Sequence, residues 1–380
     1  MREHKMKKLI LFVIVIVQAE AQTSASHFAD SLYQTGNFSK AIEAYNALDD
    51  KTQVYDRIAN AYIAIGNYDQ ALDYYKLSID AQPENAILKY EYAKLLSKTK
   101  AFDEASEVFK SLIVIDSLNP NYHYELGLVL EQQKDSTAID NFNKAFVLDN
   151  THQKAIFKVA KNHLQRRKFY DAIATANIGL AAYETNRELI SLKAQGYYWL
   201  KEYEKAAIWF EKLLDLKENS QFIHERLSVC YRWKSDINKA IEHQKLALKF
   251  EPKNATNLFI LGQLYDELQY FEEAEKCYKE ALEIMDAPLD GEYIKLGTIL
   301  NMQKKHSEAL KTFQKALKEN PKNRHVALYI LFTREKLYTD VDSKIKLYED
   351  YQAKNPESPL KDIVDMKLKQ LKEEKFLQKE

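Results

Sequence analysis

The sequence predicts an all-α solenoid, a stack of helix pairs running the length of the chain. Helix breakers are scarce, with 8 glycines and 7 prolines in 380 residues, so long helical stretches meet little local resistance. An alanine with a large side chain four residues later recurs at Ala41, Ala71, Ala105, Ala138, Ala172, Ala206, Ala240, Ala274 and Ala309. The steps are 30, 34, 33, 34, 34, 34, 34 and 35 residues, a phase that chance does not hold for nine turns. A second stripe precedes the alanine by about twelve residues, as in "YDRIANAY" from Tyr55, "LFILGQLY" from Leu258 and "YIKLGTIL" from Tyr293. Large residues around one small residue at helical spacing mark one buried face.

The first element is a leader. "MREHKMKK" is basic, Leu9 to Val17 is apolar, and Ala19 to Ala21 supplies small residues at the cleavage positions, the layout of a secretory signal peptide over residues 1–21. Nine apolar residues fall short of the roughly 20 that span a bilayer, so cleavage before Gln22 is the expectation and an uncleaved anchor the competing reading. Met6 serves equally well as a start. No cysteine stands at the junction to carry a lipid. The expectation is an exported chain without a later membrane span, periplasmic or envelope-associated in a Gram-negative bacterium and secreted otherwise.

Residues 22–356 form the array. Pro83, Pro252 and Pro321 each fall eight residues after the large position of the second helix, and all seven prolines sit at junctions, where the missing N–H and the ring clash do no harm. Ala59, Ala93, Gly127, Ala160, Gly262 and Gly297 hold the small position of the first helix, which lets the second approach closely. Lys193 at an apolar position, and Ala176 and Gln244 in place of the ring, depart from the pattern. A tenth unit, from about Arg324 to Pro356, is degenerate, so the count is nine to ten. Residues 357–380 complete the chain as a capping helix, with Ser358 as N-cap, Pro359 at the first position and an inner stripe of Leu360, Ile363, Val364, Leu368 and Leu371.

A 34-residue helix pair with a Leu-Gly, Tyr and Ala-x3-Phe fingerprint closed by Pro resembles the tetratricopeptide repeat (TPR) family, from about Gln22 to Pro356. The resemblance implies a right-handed superhelix whose concave groove, lined by the first helices, takes extended peptides or partner segments. Its groove positions are the second, fifth, ninth and twelfth of each unit. The fifth is aromatic at Tyr90, Tyr124, Phe157 and Phe259, while Tyr198 and Trp233 lie on or beside the same face. Some relatives grip a C-terminal carboxylate with a Lys/Asn/Asn/Lys/Arg clamp; Lys154 and Lys158 match its last two positions in type, but Tyr90, Lys94 and Glu125 fill the others, so the clamp is not carried over.

Charge narrows the partners. Lys+Arg 55 against Asp+Glu 56 argues against a general nucleic-acid binder. The balance is nonetheless local: Gln153 to Asn186 holds six basic against two acidic residues, and Thr52 to Asn85 two against five. In the basic unit Lys154 and Lys161 take groove positions beside Phe157, with Arg166, Arg167 and Lys168 in the turn. A solvated face is the plainer account of such charges, and packing on the next repeat the plainer account of the rings.

No nucleophile motif, phosphate loop or paired metal motif is present, and "HERLS" at His224 lacks the second histidine of a zinc-protease helix. No enzymatic activity and no cofactor are expected. Cys230 and Cys277, the two cysteines, read as small buried hydrophobes, with a disulfide as the alternative. The sequence therefore points to an exported scaffold that binds a protein or peptide through Tyr90, Tyr124, Lys154, Phe157, Lys161, Tyr198, Trp233 and Phe259. A cell-envelope assembly factor acting through homo-oligomers is the second reading, and a regulatory or nucleic-acid-binding protein a remote third.

Overall fold

A computed structural model describes residues 24–284, 289–356 and 358–378; the leader over residues 1–21 lies outside them. Every regular element among the described residues is an α-helix. The chain divides into two compact blocks, Met1–Leu192 and Lys193–Glu380.

The first block holds five helix pairs, each an A helix and a B helix. They are 24–34 with Phe38–Asn46, Tyr55–Ala64 with Tyr68–Ala81, Ala86–Lys98 with Phe102–Ile115, Pro120–Gln132 with Ala138–Leu148, and Gln153–Gln165 with Phe169–Ala182. The block boundary falls inside the A helix of the sixth pair, Arg187–Trp199. Tyr203–Asp215 is the B helix of that pair. The second block continues with Gln221–Trp233 and Ile237–Phe250, Ala255–Glu267 and Phe271–Ile284, Asp290–Met302 and His306–Glu319, and Arg324–Glu335 and Val341–Lys354. The tenth pair is thus present as two full helices. Helix Lys361–Leu377 follows.

The small positions do what the sequence asks of them. A Cβ added to Gly127 would lie 2.7 Å from the Phe142 ring, one on Gly262 2.7 Å from Tyr278, and one on Gly297 2.6 Å from Phe313. The A-helix backbone therefore rests directly on the large B-helix ring of its own pair, and neighbouring pairs extend that contact into continuous cores, one of which runs from Ala59 to Val159. The tenth pair breaks the rule. Leu331 stands where the small residue belongs and Lys344 where the alanine belongs, and its helices pack far less closely than those of the second to fifth and seventh to ninth pairs. The final helix fills the opening against Val341–Lys354, burying Val364 and Leu371 beside Leu331, Ile345 and Tyr348. It begins at Lys361, two residues later than the sequence suggests; Ser358 Oγ accepts from the Leu360 N–H at 3.2 Å instead of capping a helix at Pro359.

Two further devices set the helix ends. Asparagine caps A helices at Asn85, Asn119, Asn186, Asn254 and Asn323, the side-chain oxygen accepting from an N–H two or three residues on. In the A–B turns a left-handed residue reverses the chain. Gly36 and Gly66 take it at φ 79° and 80°, but Lys100, Lys134, Arg167, Lys201, Ser235, Gln269 and Lys304 adopt it at 59–65° without glycine's freedom.

The departures also find causes. Lys193 lays its ammonium 3.6 Å from the Trp209 ring centroid, where burial lowers its pKa. Gln244 is buried and donates to the carbonyl and side-chain oxygens of Asn257, each at 3.1 Å. Cys230 and Cys277 are buried and unbonded to each other, their thiols pushed up by burial to about 12 and about 11. No described helix is long and apolar enough to cross a membrane.

Candidate functional site

The A helices of the third to fifth pairs bring the first group of sequence-predicted residues together. Tyr90 sits edge-on to Phe109 with centroids 6.1 Å apart, and its hydroxyl lies 3.4 Å from Glu125 Oε1. Lys94 Nζ stands 5.3 Å from the centroid of the same ring. Glu125 is half-buried. That burial raises its carboxyl pKa, against the opposing pull of Lys94, the Tyr90 hydroxyl and Lys154. One turn of the array presents a carboxyl that holds its proton more readily than usual, with two ammonium groups in reach.

The fifth-position rings divide in a way that spacing alone does not show. Tyr124 is only 9% exposed, enclosed by Phe142 at 5.7 Å and His152 at 5.0 Å, so its ring belongs to the scaffold. Tyr90 rests on Phe109 and Phe259 on Tyr278, the latter at 5.1 Å. Phe157 differs. Its own B helix offers Ala176 where the others offer a ring, and no ring contact to Phe157 is found among the described residues. Lys161 stands 5.6 Å from its centroid. Lys154 and Lys161 are both exposed and make no ion pair among the described residues.

Beside this helix a cleft of about 320 Å³ opens between the fourth and fifth pairs, with Phe142 at its floor and Lys134, Lys158, Lys161 and Arg166 around it. Glu131 and Asp135 also line it, and Glu131 is held by Lys158. Basic groups outnumber acidic ones here, four to two.

Tyr198 and Trp233 form a separate cluster in the second block. Tyr203 joins them, 5.8 Å edge-on from Tyr198 and stacked on Trp233 at 5.4 Å and 11°. The Arg226 guanidinium lies 4.8 Å from the Tyr198 centroid and donates to its hydroxyl at 3.2 Å. Sequence reasoning passed over Arg226, whose partner Tyr198 lies 28 residues away on the preceding A helix, and met Glu125 only as a mismatch to the carboxylate clamp, although it directly follows the groove aromatic Tyr124. Among the described residues no group of three or more His, Cys, Asp or Glu is arranged to hold a metal ion.

Comparison with known proteins fits this geometry. Residues 62–125, 255–287 and 293–323 match tetratricopeptide repeat families. The chain is 22% identical over 246 residues to the TPR repeat-containing protein YpiA of Bacillus subtilis, covering 64% of this chain and 58% of that protein. It is 21% identical over 249 residues to human tetratricopeptide repeat protein 21A, covering 63% of this chain and 18% of that protein. It therefore spans less than two thirds of either relative. A crystal structure of the C-terminal part of a TPR repeat-containing protein from Cytophaga hutchinsonii aligns with a TM-score of 0.53 at 18% identity, over 61% of this chain and 98% of that one. With three stretches matching and the same helix-pair geometry repeated between them, the fold is that of a tetratricopeptide-repeat solenoid.

Proposed function

We propose that the chain is an exported, non-enzymatic scaffold that holds an acidic segment of a protein partner on the A helices of its third to fifth repeats. The observation that carries this reading is Phe157. Its counterparts Tyr90, Tyr124 and Phe259 are packed on B-helix rings of their own repeats, whereas Ala176 leaves Phe157 with none and exposed Lys154 and Lys161 flank it. An aromatic anchor between two unpaired ammonium groups suits a segment carrying both carboxylates and an apolar side chain. Glu125, above its usual pKa, adds a donor to that face when protonated. Export rests on the leader-like first 21 residues.

The test is titration of labelled acidic peptides into the protein, read by fluorescence anisotropy at two salt concentrations. Replacing Lys154, Lys161 and Phe157 together is expected to weaken binding at least about tenfold, since anchors of this kind cost about 2 kcal/mol or more when removed. Helicity by circular dichroism should be unchanged. Equal binding by a folded triple variant removes the assignment.

A further inference from the structure

The cleft between the fourth and fifth repeats holds more positive charge than its scaffold uses. Two pieces of chain build it. Lys134 and Asp135 come from the A–B turn of the fourth repeat. Across from them Lys158, Lys161 and Gln165 share one face of helix Gln153–Gln165, as residues three, four and seven apart do, and Arg166 stands at its end. The walls enclose about 320 Å³, a recess and not a flat surface.

Its charges can be counted one by one. Glu131 is paired with Lys158, whose side chain is 20% exposed and whose ammonium also lies 5.3 Å from the Phe142 centroid, so this pair is fixed and neutral. Asp135 is the other acidic group of the lining. It accepts from the Thr137 backbone N–H and hydroxyl, each at 2.8 Å, and those bonds hold its carboxyl below the usual range, so it stays charged. Lys110, which acts on Asp135 from outside the cleft, is paired with Glu107 at 2.8 Å. Lys134, Lys161 and Arg166 are exposed, and none of the three makes an ion pair among the described residues. Three free cations against Asp135 leave the lining an excess of two positive charges.

We infer that this cleft binds a phosphate monoester. Such a group carries about −1.5 to −2 charges at neutral pH and three strong acceptor oxygens, which matches an excess of two. A carboxylate, a sulfate ester or a nucleic-acid phosphodiester brings a single charge and leaves one cation unanswered. Arg166 supplies the planar fork that suits phosphate, while Lys134 and Lys161 act as point charges. Phe142 at the floor gives the carbon side of the ester an apolar surface. Two sources offer the group: a phosphorylated side chain in a segment lying on Phe157, whose ring Lys161 also meets at 5.6 Å, and a free sugar phosphate. The inference shares Lys161 with the groove reading and does not rest on it.

The test is calorimetric titration of the full chain at neutral pH with two phosphorylated probes, glucose 6-phosphate and a short neutral peptide carrying one phosphoserine. Glucose 6-sulfate and the same peptide with glutamate in place of phosphoserine are the singly charged counterparts. Saturable binding of a phosphorylated probe with Kd below about 1 mM is expected, at least about tenfold tighter than its counterpart. Binding of the peptide alone assigns the group to a partner segment, and binding of the sugar phosphate as well shows that the phosphate itself suffices. Lys134→Gln with Arg166→Gln should weaken binding at least about tenfold with helicity unchanged. Lys154→Ala with Phe157→Ala, which tests the groove, should leave binding of the phosphorylated probes within about twofold, so the two readings fail separately. The inference is overturned if neither phosphorylated probe binds, or if the sulfate and glutamate counterparts bind as tightly. It is equally overturned if the folded Lys134 and Arg166 variant binds like wild type, or if the loss follows Lys154 and Phe157 instead.

Discussion

Single residues decide how each repeat closes. Gly297 lies against the Phe313 ring so closely that a Cβ would stand at 2.6 Å, and the same contact recurs at Gly127 and Gly262. Where the B-helix ring is tyrosine, the hydroxyl must also find a partner in the core, and repeats differ in whether it does. Tyr75 donates to Asn60 Oδ1 at 2.9 Å and Tyr45 to Asp30 at 2.5 Å. Tyr278, fully buried, has no partner for its hydroxyl among the described residues, because Gln263 on the facing helix is turned to Arg232. A hydroxyl in a core contributes only while it is bonded and costs desolvation when it is not. Tyr75→Phe should therefore destabilise by about 1 kcal/mol, while Tyr278→Phe should be neutral or stabilising. Denaturant midpoints of the two variants check this, and an equal loss in both would contradict the account. The groove rings give a related lesson. Tyr124 and Phe157 occupy the same repeat position, and only the residue beneath, Phe142 or Ala176, sends one to the core and leaves the other without a ring partner.

At the scale of the helix, the seventh repeat joins its A and B helices through two imidazoles. His224 Nδ1 and His243 Nδ1 are 3.0 Å apart, and His224 Nε2 lies 2.8 Å from Asn219 Oδ1. The amide oxygen takes the Nε2 proton, so His224 Nδ1 is left to accept from His243, an arrangement that needs His224 neutral. Burial lowers the pKa of both rings; the charge of His243 adds to the effect on His224, while Glu242 and Glu211 oppose it at His243. Folded values below the unfolded one mean that the unfolded chain takes up protons first as pH falls. Stability is then complete above about pH 6.5, the unperturbed imidazole value, and declines below it. His243→Gln should flatten this decline between about pH 6.5 and 5, seen as melting temperatures that fall less than those of the wild type. A variant as acid-sensitive as wild type over that range would count against the pair. Helix ends were only partly legible in the sequence. Pro83, Pro252 and Pro321 marked the junctions, but the asparagine two residues after each is what caps the next helix. The left-handed turns were hidden for a different reason: lysine, arginine, serine and glutamine adopt a conformation that only Gly36 and Gly66 announce by residue type.

For the whole molecule, the 34-residue period made the fold readable, because it records a contact every pair must make with itself and its neighbours. The tenth repeat was hard to read for the same reason. Leu331 and Lys344 erase both small positions, so the period is lost to the eye although both helices form. The candidate site was less legible, since identical groove positions serve packing or exposure according to residues on another helix. In an array stabilised by nearest neighbours, an end repeat depends on whatever covers it. The tenth pair is such a case, its helices loosely packed on each other and the gap closed by Val364 and Leu371 of the final helix. Lys372 and Glu349 at 2.8 Å, and Lys375 with Asp342, add surface pairs of small worth. Burial of those two aliphatic side chains stabilises the terminal repeat by about 3 to 6 kcal/mol as an upper bound. Removing residues 358–380 should therefore open Leu331, Ile345 and Tyr348 to water and melt the tenth repeat locally. Hydrogen exchange would show this as loss of amide protection across 324–354, with protection in the third to fifth repeats retained. Full protection of 324–354 without the final helix would mean that the tenth pair holds itself, and that the loose packing between its helices carries no cost.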